Sequence, residues 1–245
     1  KGNELLVNEE TTKAKAYFME SIRYDPNNAA AYFGLGEVYT DLDQNDDAIA
    51  SYEKALQNDA KLSEIYFPLG VLYYQKGEIA KADDLLTRSL ANSDETAEAD
   101  VLLGIIRLSQ NRTDEALKAF QRAKTLDPNN AEAFYYNGDA LLRIGKQADS
   151  LPEFQKAISL KPNYFEAYRD MGQAYLELNR FPEAVAAYKA AVRLKNTDGE
   201  VYADLGEANR LAGNYNDAES AYATAKDLLS RNPEVSKVEI ADLYS

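Results

Sequence analysis

The 245-residue chain contains no cysteine, no histidine and no tryptophan. Without cysteine there is no disulfide, no thiol nucleophile and no redox clue to a compartment. Without histidine, the commonest general base, the commonest metal ligand and every histidine-containing triad are excluded. Positive charge is also scarce: 27 Lys and Arg against 41 Asp and Glu leave a net charge of −14. That balance disfavours nucleic acid and anionic lipid surfaces as partners and favours basic or apolar ones, while also keeping the chain soluble. No apolar run approaches the roughly 18 residues that cross a bilayer, so direct membrane insertion is not expected. No signal-like segment stands at the front; because the chain starts at Lys1 rather than Met, this leaves the localisation open.

The 12 glycines are few but not scattered. Stepping by 34 residues from Gly172 meets Gly138, Gly104, Gly70, Gly36 and Gly2 upstream and Gly206 downstream, which marks an internal repeat. Other residue types travel on the same ruler. Tyr32, Tyr66, Phe134, Tyr168 and Tyr202 stand four residues before a comb glycine, and Tyr39, Tyr73, Leu141 and Tyr175 three after it. Twelve residues after it come Ala48, Ala82, Ala116, Ser150, Ala184 and Ala218, followed four further on by Tyr52, Leu86, Phe120, Phe154, Tyr188 and Tyr222. Each half of the unit thus has apolar or small residues at i, i+3, i+4, i+7, the period of an amphipathic helix and not of a strand. Glycine within a helix is worse than alanine by about 1 kcal/mol, so the comb needs a reason. Close approach of two helices, Gly172 against Ala184, supplies one, with the aromatics filling the wider gaps beside it.

This pattern resembles the tetratricopeptide repeat, a helix-turn-helix unit with an aromatic, a Leu-Gly pair, a Tyr, an Ala, an aromatic, an Ala and a closing Pro. The resemblance implies an all-α fold, a right-handed α-solenoid of stacked 34-residue repeats running over 1–245 as one domain. The units read as a truncated repeat 1–28, then 29–62, 63–96, 97–130, 131–164, 165–198 and 199–232, with 233–245 either a C-terminal cap or the start of a further repeat. Departures from the pattern are Asn137 for Leu, Asp100 and Arg107 for aromatics, and Ser150 for Ala; only Pro26, Pro128 and Pro162 keep the final Pro.

Along the chain, the first unit is expected to have lost half of its opening helix, so that Lys1–Asn8 frays and a second helix covers Thr12 to Tyr24. The turns inside the hairpins hold Gly77, Asn111, Gly145, Asn179 and Gly213, residues that tolerate a left-handed helix end. Pro182 fits the first turn of its helix, Pro152 less comfortably, and Pro68 requires its helix to start late or bend.

No catalytic constellation is found. Gly145-Lys146 lacks the upstream glycine and following Ser or Thr of a phosphate-binding loop. Asp41 to Asn45 alternates acidic residues without the central glycine and closing Glu of a calcium loop. Asn111-Arg112-Thr113 matches a glycosylation acceptor, relevant only to a secreted protein. We therefore expect no enzyme activity, no cofactor and no metal.

What remains is surface. The resemblance implies that first helices line a concave groove, with unit positions 2, 5, 6, 9, 12 and 13 facing it. In the third and fourth units these are Phe67, Pro68, Val71, Tyr74, Val101, Leu102, Ile105 and Leu108, an expected apolar patch. In the fifth to seventh units they include Glu132, Tyr135, Asp139, Glu166, Asp170, Glu200, Asp204 and Glu207, an acidic half interrupted by Arg143, Arg169 and Arg210. The expected partner is a protein or peptide segment with an apolar anchor and basic residues. The alternative for the same residues is that Val71, Val101 and Ile105 pack between adjacent first helices while the carboxylates are a solvated face. The Lys, Asn and Arg clamp by which one branch of the family holds a C-terminal carboxylate is disfavoured, since these positions offer no Lys. Two other functions stay open: the substrate-recruiting arm of a larger enzyme such as a glycosyltransferase or kinase, and a self-assembly module.

Overall fold

The structure, a computed structural model, describes residues 2–91 and 96–231; the expected cap or partial repeat 233–245 lies outside them. All regular structure among the described residues is helical. A single helix, α1 (Gly2–Tyr24), comes first. Helical hairpins follow: α2 (Ala29–Asp41) with α3 (Asn45–Asn58), and α4 (Tyr66–Gln75) with α5 (Ile79–Ala91). After α6 (Ala97–Ser109) and α7 (Thr113–Leu126) come α8 (Ala131–Arg143) with α9 (Gln147–Leu160), α10 (Phe165–Glu177) with α11 (Phe181–Leu194), and α12 (Gly199–Leu211) with α13 (Tyr215–Ser230). The chain divides into two compact units, the first ending at Arg107 and the second starting at Leu108 within α6. Each is a stretch of helical-repeat solenoid.

Local chemistry places the helix ends. The residue before each first helix recurs at the 34-residue spacing as Asn28, Leu62, Thr96, Asn130, Tyr164 and Asp198. Asn28, Thr96, Asn130 and Asp198 each accept the backbone N–H three residues on, the N-cap that satisfies an otherwise orphaned donor. Leu62 has no acceptor to offer, and Pro68 follows. There the chain makes a 3₁₀ turn, Ser63–Ile65, and α4 starts late at Tyr66. Inside the hairpins Gly77, Asn111, Gly145, Asn179 and Gly213 all have positive φ, and Asp43 occupies the same position with φ 55°. The equivalent residue one repeat earlier is Glu9, a good helix former with no left-handed preference. This corrects the expectation of a frayed segment, a turn and a second helix: α1 runs through that point without a break.

The comb glycines from Gly36 to Gly206 are buried, Gly104 and Gly138 included. Their contact is the residue 16 on rather than the alanine 12 on. A Cβ on Gly172 would stand 2.9 Å from the Tyr188 ring, one on Gly138 2.8 Å from Phe154, and one on Gly36 2.6 Å from Tyr52. At Gly70 the facing residue is Leu86, at 3.0 Å. The aromatic of the second helix therefore packs on bare first-helix backbone, and Ala184, fully buried, lets the two axes close beside it. Burying such a ring stabilises by about 1.5–3 kcal/mol, which more than offsets the propensity lost at the glycine. Unit 1 gathers Tyr52, Ile65, Leu69, Leu72, Leu86, Leu103 and Ile106 into one core. Unit 2 gathers Phe154, Tyr164, Ala174, Tyr188, Val201 and Leu205 into another.

Candidate functional site: the first-helix face

In unit 1 the positions expected to face a groove divide into two sets. Phe67, Pro68, Val71 and Tyr74 on α4, with Leu102 and Ile105 on α6, are half-buried. Phe67, Tyr74 and Leu102 lean on the unit 1 core while keeping part of their surface in water. Val101, in contrast, is only 5% exposed, and Leu108, the first residue of unit 2, 7%, so these two belong to the packing face and not to an accessible patch. The fourth-repeat departures have a structural use. Asp100 is fully buried, and Arg107 reaches α5, with Nε 3.5 Å from Asp83 and Nη2 donating to Thr87 at 3.3 Å.

In unit 2 three of the acidic side chains, Asp139, Asp170 and Glu207, are committed to neighbours. Tyr135, buried on α8, donates its hydroxyl to Asp170 Oδ2 at 2.9 Å, and Arg169 Nε donates to Oδ1 of the same carboxylate at 2.8 Å. Asp170 is 6% exposed; burial raises its pKa, with Arg169 and Tyr135 pulling the other way. Arg143 Nε is 2.9 and 3.0 Å from the two oxygens of Asp139. Arg210 holds Glu207 through two bonds of 2.7 Å, and Tyr222 donates to it at 2.9 Å. The Arg210 guanidinium keeps Glu207 below the usual carboxylate range. Between α8 and α10 these groups line a pocket of about 300 Å³, formed by Tyr135, Asp139, Leu142, Arg143, Arg169, Asp170 and Gln173. Asp204 on α12 differs from these three: it is half-buried and receives no hydrogen bond or ion pair from the described residues. Burial, opposed by Arg169 and reinforced by Glu200, Asp198 and Asp170, pushes its pKa up to about 6.

Two features escaped sequence reasoning. The first is a polar triad in unit 2. Lys124 of α7, 8% exposed at its side chain, donates to both oxygens of Glu153 (α9) at 2.9 Å and to Asn137 Oδ1 (α8) at 3.2 Å. The positions 68 residues earlier are Leu56, Leu69 and Leu85, an apolar trio of the unit 1 core. Asn137 alone looked like a defect; reading Lys124 and Glu153 on the same ruler would have revealed the exchange. The second is a wedge of about 580 Å³ on the second-helix side of unit 1, lined by Leu56, Leu69 and Leu85 and rimmed by Glu53, Tyr73, Lys81 and Asp84. Its rim is internally satisfied, with the Tyr73 hydroxyl on Glu53 and the Lys81 ammonium 4.5 Å from the Tyr73 ring centre. Among the described residues no cluster of three or more carboxylates has a metal-binding arrangement, and no helix is long and apolar enough to cross a membrane.

Comparison with known proteins follows the geometry. The family described as the cilia and flagella-associated protein 70 C-terminal domain, a tetratricopeptide-repeat domain, matches residues 2–203. No curated protein matches the chain. Among solved structures, YrrB, described as a TPR protein with an unusual peptide-binding site, superposes with a TM-score of 0.66 at 23% identity, covering 73% of this chain and 92% of its own. MamA gives a TM-score of 0.63 at 28% identity over 69% of this chain and 92% of its own. PilF of Pseudomonas aeruginosa gives 0.70 at 21% identity over 87% and 95%.

Proposed function

Because the chain belongs to the tetratricopeptide-repeat family of the cilia and flagella-associated protein 70 C-terminal domain, we propose that it is a non-catalytic interaction scaffold that binds a protein or peptide segment along its first helices. The observation that carries this reading is the accessible apolar face of unit 1. Phe67, Val71, Tyr74 and Ile105 keep water-facing surface although each could be covered, and such patches mark contact sites. The same helix positions in unit 2 carry carboxylates, which suit basic residues of a partner; charge of this kind governs partner choice and on-rate more than affinity. A peptide-binding site in YrrB, a protein of the same fold, is in keeping with this use.

The test is selection of randomised 12-residue peptides displayed on phage against the folded chain, followed by titration calorimetry with the winners. Enriched sequences should combine aliphatic or aromatic residues with Lys or Arg. Ile105→Arg should weaken them at least tenfold with helicity unchanged. No enrichment, or enrichment of acidic sequences, would refute the reading. A second reading, self-association, is favoured by Tyr17, Met19 and Tyr24 on α1, which are 68%, 53% and 77% exposed; concentration-dependent light scattering decides it.

A further inference from the structure

The two ends of the unit 2 first-helix face are built from equivalent repeat positions, yet they are wired differently. Adding 34 to Tyr135 and Asp170 gives Arg169 and Asp204. The Tyr135 hydroxyl bridges from α8 to Asp170 on α10, so the corresponding bridge would run from Arg169 on α10 to Asp204 on α12. That bridge is absent. Arg169 Nε is turned to its own neighbour Asp170 instead, 2.8 Å away, and acts on Asp204 only through space.

The consequence is a half-buried carboxylate with acceptor capacity and no donor among the described residues. Exposed carboxylates such as Glu132 and Glu166 are hydrated; a half-buried one loses part of its hydration and gains nothing in return. Glu200, one helical turn earlier on α12, shares its face, and the other charged groups that act on Asp204 are Asp198, Asp170 and the already committed Arg169. The sum is negative.

We propose that Asp204 is the seat of one cationic side chain, Lys or Arg, of the bound segment, with Glu200 as the second acceptor; this rests on reading the first-helix face as the binding face. An incoming ammonium or guanidinium completes at α12 the pairing that Tyr135 and Arg169 complete at α10, and charge-assisted bonds to a partly desolvated carboxylate are the strong kind. Burial that disfavours its ionised form fits a carboxylate that gains from a cation beside it.

The test needs no knowledge of the partner. The isotope-labelled chain is titrated with N-acetyl-lysine methylamide and with its uncharged norleucine counterpart, following backbone amide shifts and the Asp204 carboxyl carbon. The lysine compound should produce saturable shifts centred on Asp204 and Glu200, and the norleucine compound should not. Asp204→Asn should weaken the lysine compound at least tenfold, and Glu200→Gln about threefold, with circular dichroism unchanged in both. Equal shifts with norleucine, retained affinity in Asp204→Asn, or shifts centred on Glu132 or Glu166 would overturn the assignment. Failure of the peptide selection with a normal lysine titration would count against the binding face as a whole and not against Asp204.

Discussion

Replacing Lys124 by Met removes the cation from the triad while keeping most of its apolar stem. Glu153 then retains a carboxylate, about one-fifth exposed, with no counter-charge, and Asn137 Oδ1 loses its donor. Breaking a buried pair from one side costs about 3–5 kcal/mol because an uncompensated charge is left behind. The triple change Lys124→Leu, Asn137→Leu and Glu153→Leu instead restores the trio present at Leu56, Leu69 and Leu85. Replacing a buried ion pair by apolar side chains of matching shape is neutral or stabilising, by up to about 4 kcal/mol. The two variants are therefore expected to move in opposite directions although they share a substitution site. Urea titration followed by helicity gives the sign, and native-state amide exchange on α7, α8 and α9 locates the effect, since local opening reports the stability of those helices. A single Lys124→Met variant within about 0.5 kcal/mol of the parent would mean that the triad is a solvated surface pair, and the argument from burial would be wrong.

The glycine comb predicts unequal costs. Gly172→Ala drives a Cβ to 2.9 Å from the rigid Tyr188 ring and should destabilise by about 1–2 kcal/mol even after the helix-propensity gain. Gly70→Ala meets the more pliable Leu86 at 3.0 Å and should fall within about 0.5 kcal/mol of the parent, the same propensity gain offsetting the contact; thermal melts compare the two. Asn130→Ala deletes a cap bond and should cost about 1 kcal/mol, read by the same melts. For Asp204 the folded pKa of about 6 lies above the ordinary carboxylate value of 3.8, so the native state binds more protons between those values. Stability contributed by this group is then present below about pH 4 and lost as pH rises to about 6, by about 1–2 kcal/mol after allowing for its partial exposure. Asp204→Asn should flatten that slope and raise the melting temperature at pH 8.

Much of this molecule was legible because a solenoid repeats its local rules. Gly172, Ala184 and Tyr188 are set by contacts within one hairpin, and the hairpin recurs. The continuous α1 was missed because the reading carried the turn backward by symmetry without asking whether Glu9 could make it. Repeat position left Val101 either on an open face or packed between first helices and placed Leu108 on the open face, whereas burial is decided by what packs on them, and both are buried. Tyr135 with Asp170, and Lys124 with Glu153, join different helices at separations of 35 and 29 residues. Periodicity names the positions but not which acceptor an Arg chooses, as Arg169 shows by turning to Asp170 and leaving Asp204 open.

The most direct measurement is an amide-shift footprint of the best selected 12-residue peptide on the labelled chain. The account predicts perturbations on first helices, at Val71 and Ile105 in unit 1 for an apolar peptide and at Asp204 in unit 2 for a basic one. A footprint confined to the second-helix side, around Leu56, Lys81 and Asp84, would contradict it.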